Sequence, residues 1–150
     1  MSQATSIQHG SIATVNPFTN EVVREFPPIS EHEIDRAVAR THAAFPPWRD
    51  TPLADRAALV GRAADSMGER SEDIARLITL EMGKLIRHSR AEVDLSRRIL
   101  AYYAEAGPAL IGDERLEMQD GTAVLRYEAL GVILAIEPWN YPVYQVVRFA

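Results

Sequence analysis

Short runs that include apolar residues, separated by turn residues, predict two β-hairpins. The first joins Ile12–Val15 to residues 21–26 through an Asn-Pro-Phe-Thr-Asn turn. The second joins residues 115–119 to residues 122–128, with Asp120-Gly121 as the turn. Because a hairpin of two strands is marginally stable alone, we expect the second one to need a partner surface such as another subunit.

Four stretches between the hairpins repeat apolar residues at helical spacing and predict four α-helices. Ser30 is the expected N-cap of the first, with Glu33 completing a capping box, and Pro46-Pro47 marks its end. Thr51 and Ser71 are the predicted N-caps of the second and third helices.

The third and fourth helices are predicted to meet near Gly83, which is the expected C-cap of the third. Lys84 follows it and is a candidate catalytic lysine, but at a helix C-terminus the helix dipole and solvation favour a solvated, non-catalytic role. The fourth helix is predicted to span about Ile86 to Ala106, before Gly107-Pro108. Its predicted apolar side consists of Ala91, Leu95, Ile99, Tyr102 and Tyr103.

Residues 132–136, Val-Ile-Leu-Ala-Ile, form an apolar run without polar alternation. Such a run favours a strand buried on both faces of a parallel sheet. Pro138 and Pro142 end the strand and stiffen the loop between them. Because ligands of open α/β sheets bind beyond the carboxyl ends of the strands, this loop is a candidate part of an active site. Residues 143–150 read as the first turns of another helix, so we expect the fold to be incomplete within these 150 residues.

Three residues after this run carry candidate chemistry, each with a structural alternative. Asn140 is either a turn residue or an amide that donates a hydrogen bond to a developing oxyanion. Trp139 is either core packing or one wall of a flat cofactor pocket. Arg148 lies between apolar neighbours, where a guanidinium is costly to bury without an anion. Its partner is either a structural carboxylate or a substrate carboxylate held by two hydrogen bonds.

Composition excludes several classes of function. The chain is 47% hydrophobic and 25% charged, as in soluble globular proteins, and its net charge of −5 argues against nucleic acid or an anionic membrane as a partner. No run approaches the roughly 18 apolar residues of a membrane span, and the first residues do not resemble a secretory signal, so we expect a cytoplasmic protein. The four histidines show no metal-ligand spacing, so no metal site is expected. Without cysteine, these residues hold neither a disulfide nor a cysteine nucleophile.

Several motifs resemble those of one enzyme superfamily. Leu130–Pro142 is similar to the segment with the Pro-Trp-Asn-Phe/Tyr-Pro signature of the NAD(P)-dependent aldehyde dehydrogenases. Within that superfamily, residues 81–84 together with residues 138–148 are most similar to bacterial succinate-semialdehyde dehydrogenases. Other family motifs lie upstream in the same order, namely Asn-Pro-Phe-Thr-Asn-Glu at 16–21, Ala-Phe followed by Trp at 44–48, Glu-Met-Gly-Lys at 81–84 and Tyr-Tyr-Ala at 102–104.

The resemblance implies an α/β fold of which this chain is the N-terminal part. Residues 1–110 would form the N-terminal hairpin and the helical part of the cofactor-binding domain. Residues 111–129 would form the oligomerisation hairpin of a homo-oligomer, a dimer or a tetramer. Residues 130–150 would form the first strand and the start of the first helix of a Rossmann-like dinucleotide-binding sheet.

The implied reaction is oxidation of an aldehyde to a carboxylic acid with NAD or NADP, here succinate semialdehyde to succinate. In this family a cysteine thiolate attacks the aldehyde, hydride passes to the nicotinamide, and a glutamate activates the water that hydrolyses the thioester. By the resemblance, Asn140 and the cysteine's backbone N–H form the oxyanion hole, and Arg148 binds the distal carboxylate of the substrate. The cofactor would lie along Ile136, Glu137, Pro138, Trp139 and Asn140.

The same resemblance places essential groups outside these residues. The family's cysteine, general-base glutamate and adenosine-ribose lysine would all follow residue 150, and Glu137 stands where the family usually has a small or apolar residue. We therefore expect the 150-residue chain alone neither to oxidise aldehydes nor to bind NAD(P) tightly. Two alternatives are a non-catalytic truncated subunit or assembly module that pairs through residues 111–129, and a remnant without a stable fold.

Overall fold

The computed structural model describes residues 11–150, in which helices predominate. Both predicted hairpins and all the predicted helices are present. Among residues 11–150, none of the helices has the length and hydrophobicity that a membrane span requires. In chain order the elements are β1 (Ile12–Val15), β2 (Val22–Phe26), α1 (Glu31–Asp50), α2 (Leu53–Glu69), α3 (Ser71–Met82), α4 (Ile86–Leu110), β3 (Glu114–Met118), β4 (Gly121–Leu125) and α5 (Pro142–Phe149).

Each hairpin is a separate two-stranded antiparallel sheet. β1 pairs with β2 as predicted, with a register shift after Thr14. In the second hairpin Met118 pairs with Gly121, so the turn consists of Gln119 and Asp120, and the predicted Asp120-Gly121 turn was wrong by one residue. Gly121 keeps its place in the ladder at φ +110°, a conformation that is open to glycine.

The helix boundaries confirm some of the predicted caps and correct others. Ser30 and Glu33 form the predicted capping box, in which each side chain accepts a hydrogen bond from the other residue's backbone N–H, at 3.3 and 2.9 Å. Gly83 caps α3 in the left-handed conformation, at φ +65°. Thr51 is not an N-cap, because its hydroxyl instead donates to the carbonyl of Pro47 at the end of α1. Ser71 is the first residue of α3 rather than its cap.

Prolines lie inside two helices rather than at their ends. α1 continues through Pro46 and Pro47 to Asp50, and α4 continues through Pro108 to Leu110, so the predicted ends at these prolines were wrong. A proline forfeits one intrahelical hydrogen bond but does not prevent the next turn from closing. The backbone N–H of Ile111 still donates to the carbonyl of Gly107 across Pro108.

α4 is the central helix, and α2, α3 and α5 all pack against it. One buried cluster joins α2, α4 and α5 through Ala64, Leu100 and Val147. A second joins α3 and α4 through Ala75, Ile78 and Val93, with Val143 of α5 packed at its edge. α5 is therefore anchored to the helical body by two apolar side chains, one near each of its ends.

The buried face of α4 differs from the predicted apolar side. Ala91, Leu95, Tyr102 and Tyr103 are exposed and Ile99 is only partly buried. The prediction considered apolar residues only. The buried face instead includes serines, whose small side chains let the helices approach closely, and a glutamate whose carboxylate accepts hydrogen bonds from backbone N–H groups. The buried residues of α4 are Ser89, Glu92, Val93, Ser96 and Leu100.

The apolar run before the Pro-Trp-Asn turn does not form the predicted buried strand. Residues 11–150 contain no strand over 131–136, and Leu130, Leu134 and Ile136 are 96%, 84% and 86% exposed. A parallel strand needs a hydrogen-bonded neighbour, and neither hairpin provides one to this segment. The run is an exposed apolar segment in this chain.

Candidate active site

The turn at Trp139 and Asn140 leads directly into α5. Pro142 is the first helical residue, where its fixed φ suits a helix start and its missing N–H costs nothing. Tyr141 occupies the N-cap position but makes no side-chain capping hydrogen bond. The backbone donors at the start of α5 therefore require partners from elsewhere in the fold.

Glu92 of α4 supplies those partners. Its side chain has no exposed surface, and its Oε1 accepts hydrogen bonds from the backbone N–H groups of Val143 at 3.0 Å and Tyr144 at 3.2 Å. Because Pro142 has no N–H, these are the first two donors of the helix. One buried carboxylate therefore caps α5 and complements the positive end of its dipole.

Lys84 connects this carboxylate to the turn. Its ammonium lies 2.6 Å from Glu92 Oε2 and donates to the backbone carbonyl of Asn140 at 3.3 Å. It also lies 3.6 Å from the centroid of the Tyr141 ring, within cation–π range. The side chain is only 14% exposed, so the predicted solvated lysine was wrong.

The predicted cofactor-contacting residues lie on an open surface beside this network. Ile136 and Trp139 are 86% and 72% exposed, Pro138 and Asn140 are exposed, and Glu137 is half-buried. The side-chain amide of Asn140 makes no hydrogen bond with any residue from 11 to 150. The turn thus combines a backbone carbonyl that is held by Lys84 with an amide that is free to bind.

Arg148 lies at the other end of α5, and its side chain is exposed. Its guanidinium carbon is 5.6 Å from the Tyr144 ring centroid, and Tyr144 in turn meets Tyr141 edge to face at 6.0 Å. Arg148 forms no ion pair within the described part of the chain. Its neighbours thus provide an aromatic support and leave its hydrogen-bond donors available to an anion.

Arg148 also lines a groove of about 420 Å³ between α2, α4 and α5. Trp48, Tyr103 and Arg56 are among its other walls, and the Nε of Arg56 is buried without a hydrogen-bond partner in residues 11–150. None of the residues from Ile136 to Asn140 lines this groove. The structure therefore keeps Arg148 and the Asn140 turn at opposite ends of α5, joined by the Tyr141–Tyr144 contact.

Sequence reasoning missed both members of the pair that supports this turn. The sequence contained one indication that Glu92 is buried. Glu92 shares a helix face with Ser89, Val93 and Ser96, because positions 89, 92 and 96 and positions 89, 93 and 96 are three and four residues apart. An acid within such a face must have polar partners if the face is buried. No pattern in the sequence indicates that those partners are two backbone groups about fifty residues away.

Almost the whole length of the chain matches one protein family. Residues 4–150 match the aldehyde dehydrogenase family. The chain is 46% identical over 148 residues to the NADP(+) succinate-semialdehyde dehydrogenase of Deinococcus radiodurans, and 41% identical over 142 residues to the corresponding enzyme 1 of Mycobacterium tuberculosis H37Rv. These matches cover 99% and 93% of the chain but only 31% of each relative, so the chain spans about a third of their length.

Solved structures agree with this assignment. The succinic semialdehyde dehydrogenase of Streptococcus pyogenes in complex with NADP+ superposes with a TM-score of 0.84 at 34% identity, over 91% of this chain and 30% of that one. A double mutant of the betaine aldehyde dehydrogenase of Staphylococcus aureus, in complex with NAD+, superposes with a TM-score of 0.83 at 28% identity, over 95% and 29%. Together with the predicted order of motifs, these matches show that the chain belongs to the aldehyde dehydrogenase family.

Proposed function

We propose that this chain provides one wall of the active site of an NAD(P)-dependent enzyme that oxidises succinate semialdehyde to succinate. The two relatives described above are named as succinate-semialdehyde dehydrogenases that use NADP(+), which supports this substrate and NADP as the cofactor. Because the chain contains no cysteine, the nucleophile would come from residues outside these 150. On this proposal the isolated chain turns over no aldehyde.

The observation that carries the proposal is the state of Asn140. Its backbone carbonyl is held by the Lys84 ammonium at 3.3 Å, whereas its side-chain amide is exposed and has no partner in the described residues. A donor that is fixed at its backbone and free at its amide suits an oxyanion hole, where preorganisation lowers the barrier. Asn140 would donate to the aldehyde oxygen as negative charge develops there.

The residues before Asn140 fit a bound dinucleotide. Ile136 and Trp139 expose apolar surface beside the amide, which suits the flat face of a nicotinamide ring. Bound NAD(P) would supply the hydride acceptor of the reaction. Glu137 is only half-buried, so it adds an acid to this wall of the proposed site.

Arg148 would bind the distal carboxylate of the substrate. Its guanidinium is exposed, rests against Tyr144 and has no ion-pair partner in residues 11–150. Guanidinium and carboxylate groups match in a planar, two-bond geometry, which makes arginine well suited to this role. The position of Arg148, two turns of helix beyond the Asn140 turn, separates the carboxylate-binding end of the proposed site from its oxyanion end.

The second hairpin would serve assembly rather than chemistry. All residues of β3 and β4 are exposed except Ala123, which is partly buried, and Leu116, Met118, Val124 and Leu125 are 42–61% exposed. Exposed apolar strands with free edges need a partner. We assign residues 111–129 to pairing with another subunit of a homo-oligomer.

Replacing Arg148 with alanine in the full-length enzyme tests the substrate assignment. The KM for succinate semialdehyde should rise roughly 10- to 100-fold, because charge-assisted hydrogen bonds to the carboxylate are lost. The KM for a neutral aldehyde of similar length should change by no more than about twofold. Steady-state kinetics with both substrates measure the difference.

Arg62→Ala is the matched control, because Arg62 is an exposed arginine of α2 outside the proposed site. It should leave both KM values unchanged. Equal losses on the two aldehydes in Arg148→Ala would refute the carboxylate assignment.

A further inference from the structure

We propose that Lys84 and Glu92 are positioning residues for the oxyanion donor. They fix the turn that carries Asn140 and the start of α5, and so set where the Asn140 amide meets the substrate. The inference rests on the function proposed above for Asn140. It adds two residues whose contacts are with the turn and the start of α5, so they would act through Asn140 and not on the substrate or cofactor directly.

Glu92 is committed entirely to this support. Its Oε1 accepts hydrogen bonds from the first two backbone N–H groups of α5, and its Oε2 accepts one from the Lys84 ammonium. A short helix of eight residues, with a proline at its first position and no local side-chain cap, relies on this carboxylate for its N-terminus. Val143 and Val147 also hold α5 against the buried clusters, so the carboxylate and two apolar contacts together fix the start of the helix that follows the turn.

Lys84 holds the turn itself. The same ammonium that neutralises Glu92 binds the Asn140 carbonyl and faces the Tyr141 ring, so it contacts two successive residues of the turn. Its own backbone follows Gly83, whose left-handed conformation ends α3 against Pro17. The backbone of Lys84 is therefore held next to the Gly83 cap, and its ammonium is held by Glu92 and the Asn140 carbonyl.

Electrostatics explains why the two residues act together. A carboxylate without exposed surface is strongly unfavourable unless a cation and hydrogen-bond donors compensate it. If Lys84 loses its charge, Glu92 keeps only two backbone donors and the Asn140 carbonyl loses its partner. We expect the turn to shift, and a shift of about 1 Å at a catalytic group can cost 100-fold in rate.

The test is a double-mutant cycle in the full-length enzyme, with Lys84→Met, Asn140→Ala and both together. Lys84→Met should lower kcat for succinate semialdehyde roughly 10- to 100-fold, with the KM for NADP within about threefold of wild type. In the Asn140→Ala background the same change should cost no more than about twofold, because the group that Lys84 positions is already gone. Lys84→Arg should recover part of the lost activity.

Glu72→Gln is the matched control, because it breaks another ion pair between α3 and α4 and leaves the turn untouched. It should leave kcat unchanged. Should Lys84→Met fail to fold, as judged by circular dichroism, Lys84→Gln and Glu92→Gln take its place in the same cycle.

The outcomes separate this inference from the function on which it rests. If Asn140→Ala leaves kcat unchanged, the oxyanion role itself is wrong and the positioning role falls with it. If Asn140→Ala lowers kcat but the lysine and asparagine effects multiply in full, Lys84 does not act through Asn140. That second result overturns the positioning inference alone.

Discussion

Glu72 and Arg90 form a two-bond ion pair between α3 and α4, with both contacts at 2.8 Å. The Arg90 hydrogen bonds, aided by Arg76, lower the pKa of Glu72 from 4.5 to about 2. A carboxyl whose folded pKa is depressed stabilises the fold at pH values above its unfolded pKa. That contribution disappears as the pH falls through the folded pKa, here between about 4.5 and about 2.

Glu72→Gln should therefore lower the urea midpoint of the chain at pH 7, and most of the difference from wild type should be lost by pH 2. Urea titrations at pH 7, 4 and 2, followed by helical circular dichroism, measure it. Glu69→Gln, which removes an exposed acid at the end of α2, serves as the control. A Glu72→Gln difference that stays constant from pH 7 to pH 2 would contradict the pKa assignment.

Single residues also show where sequence reasoning stops. The Ser30–Glu33 box and the Gly83 cap were predicted correctly because each depends on neighbours within a few positions. Lys84 was predicted as a solvated lysine because its actual partners, Glu92 and the Asn140 carbonyl, lie 8 and 56 residues away. Local rules describe local hydrogen bonds, and this network is not local.

The junction of α3 and α4 depends on the backbone conformation of Gly83. An added Cβ at this position would lie 2.8 Å from the Pro17 Cγ of the first hairpin, and φ is +65°. Gly83→Ala should lower the free energy of unfolding by about 1–2 kcal/mol from the left-handed conformation alone. The clash with Pro17 adds to that loss. Urea unfolding of the chain, followed by helical circular dichroism, measures it.

Gly61→Ala is the matched control within α2. Its Cβ would make an ordinary contact with Ala104 at 3.6 Å, and alanine favours a helix over glycine by up to about 1 kcal/mol. We expect this variant to equal or exceed the stability of the wild type. If Gly83→Ala were equally stable, the left-handed cap would not be a constraint on the junction.

At the level of elements, hydrophobic periodicity predicted which segments are helical better than it predicted their faces. α4 begins at Ile86 as predicted, although it continues past the predicted end to Leu110. Its buried side consists largely of Ser89, Glu92 and Ser96, which a search for apolar residues does not find. Ser96 donates back to the Glu92 carbonyl at 2.8 Å, and Ser89 shares a hydrogen bond with Thr79. Buried hydroxyls with such partners cost little and permit close packing.

This chain exposes far more surface than is expected of a folded monomer of the same mass. Its accessible area is 12092 Å², whereas a folded monomer of 16.7 kDa is expected to expose roughly 7,600 Å². Large apolar side chains are among the exposed residues, as at Leu130, Leu134 and Ile136. On the function proposed above, these surfaces would contact further parts of an aldehyde dehydrogenase fold or another subunit.

This exposure explains why family resemblance predicted more than periodicity did at the scale of the molecule. The ordered motifs from residue 16 to residue 148 pointed to the family that the comparisons confirm. The run at 132–136 is patterned as a buried strand, but burial requires neighbouring strands that these residues do not form. The pattern describes an environment that this chain alone does not create.

The proposed role of the Asn140 amide is to stabilise negative charge on the aldehyde oxygen. The kcat of the full-length Asn140→Ala enzyme with succinate semialdehyde and NADP tests this role most directly. We predict a kcat roughly 10²- to 10³-fold below wild type, with substrate and cofactor KM values within about threefold. Asn140→Asp, which keeps the side-chain size but cannot donate when ionised, should lose at least as much. A kcat within about twofold of wild type in a folded Asn140→Ala enzyme would contradict the account.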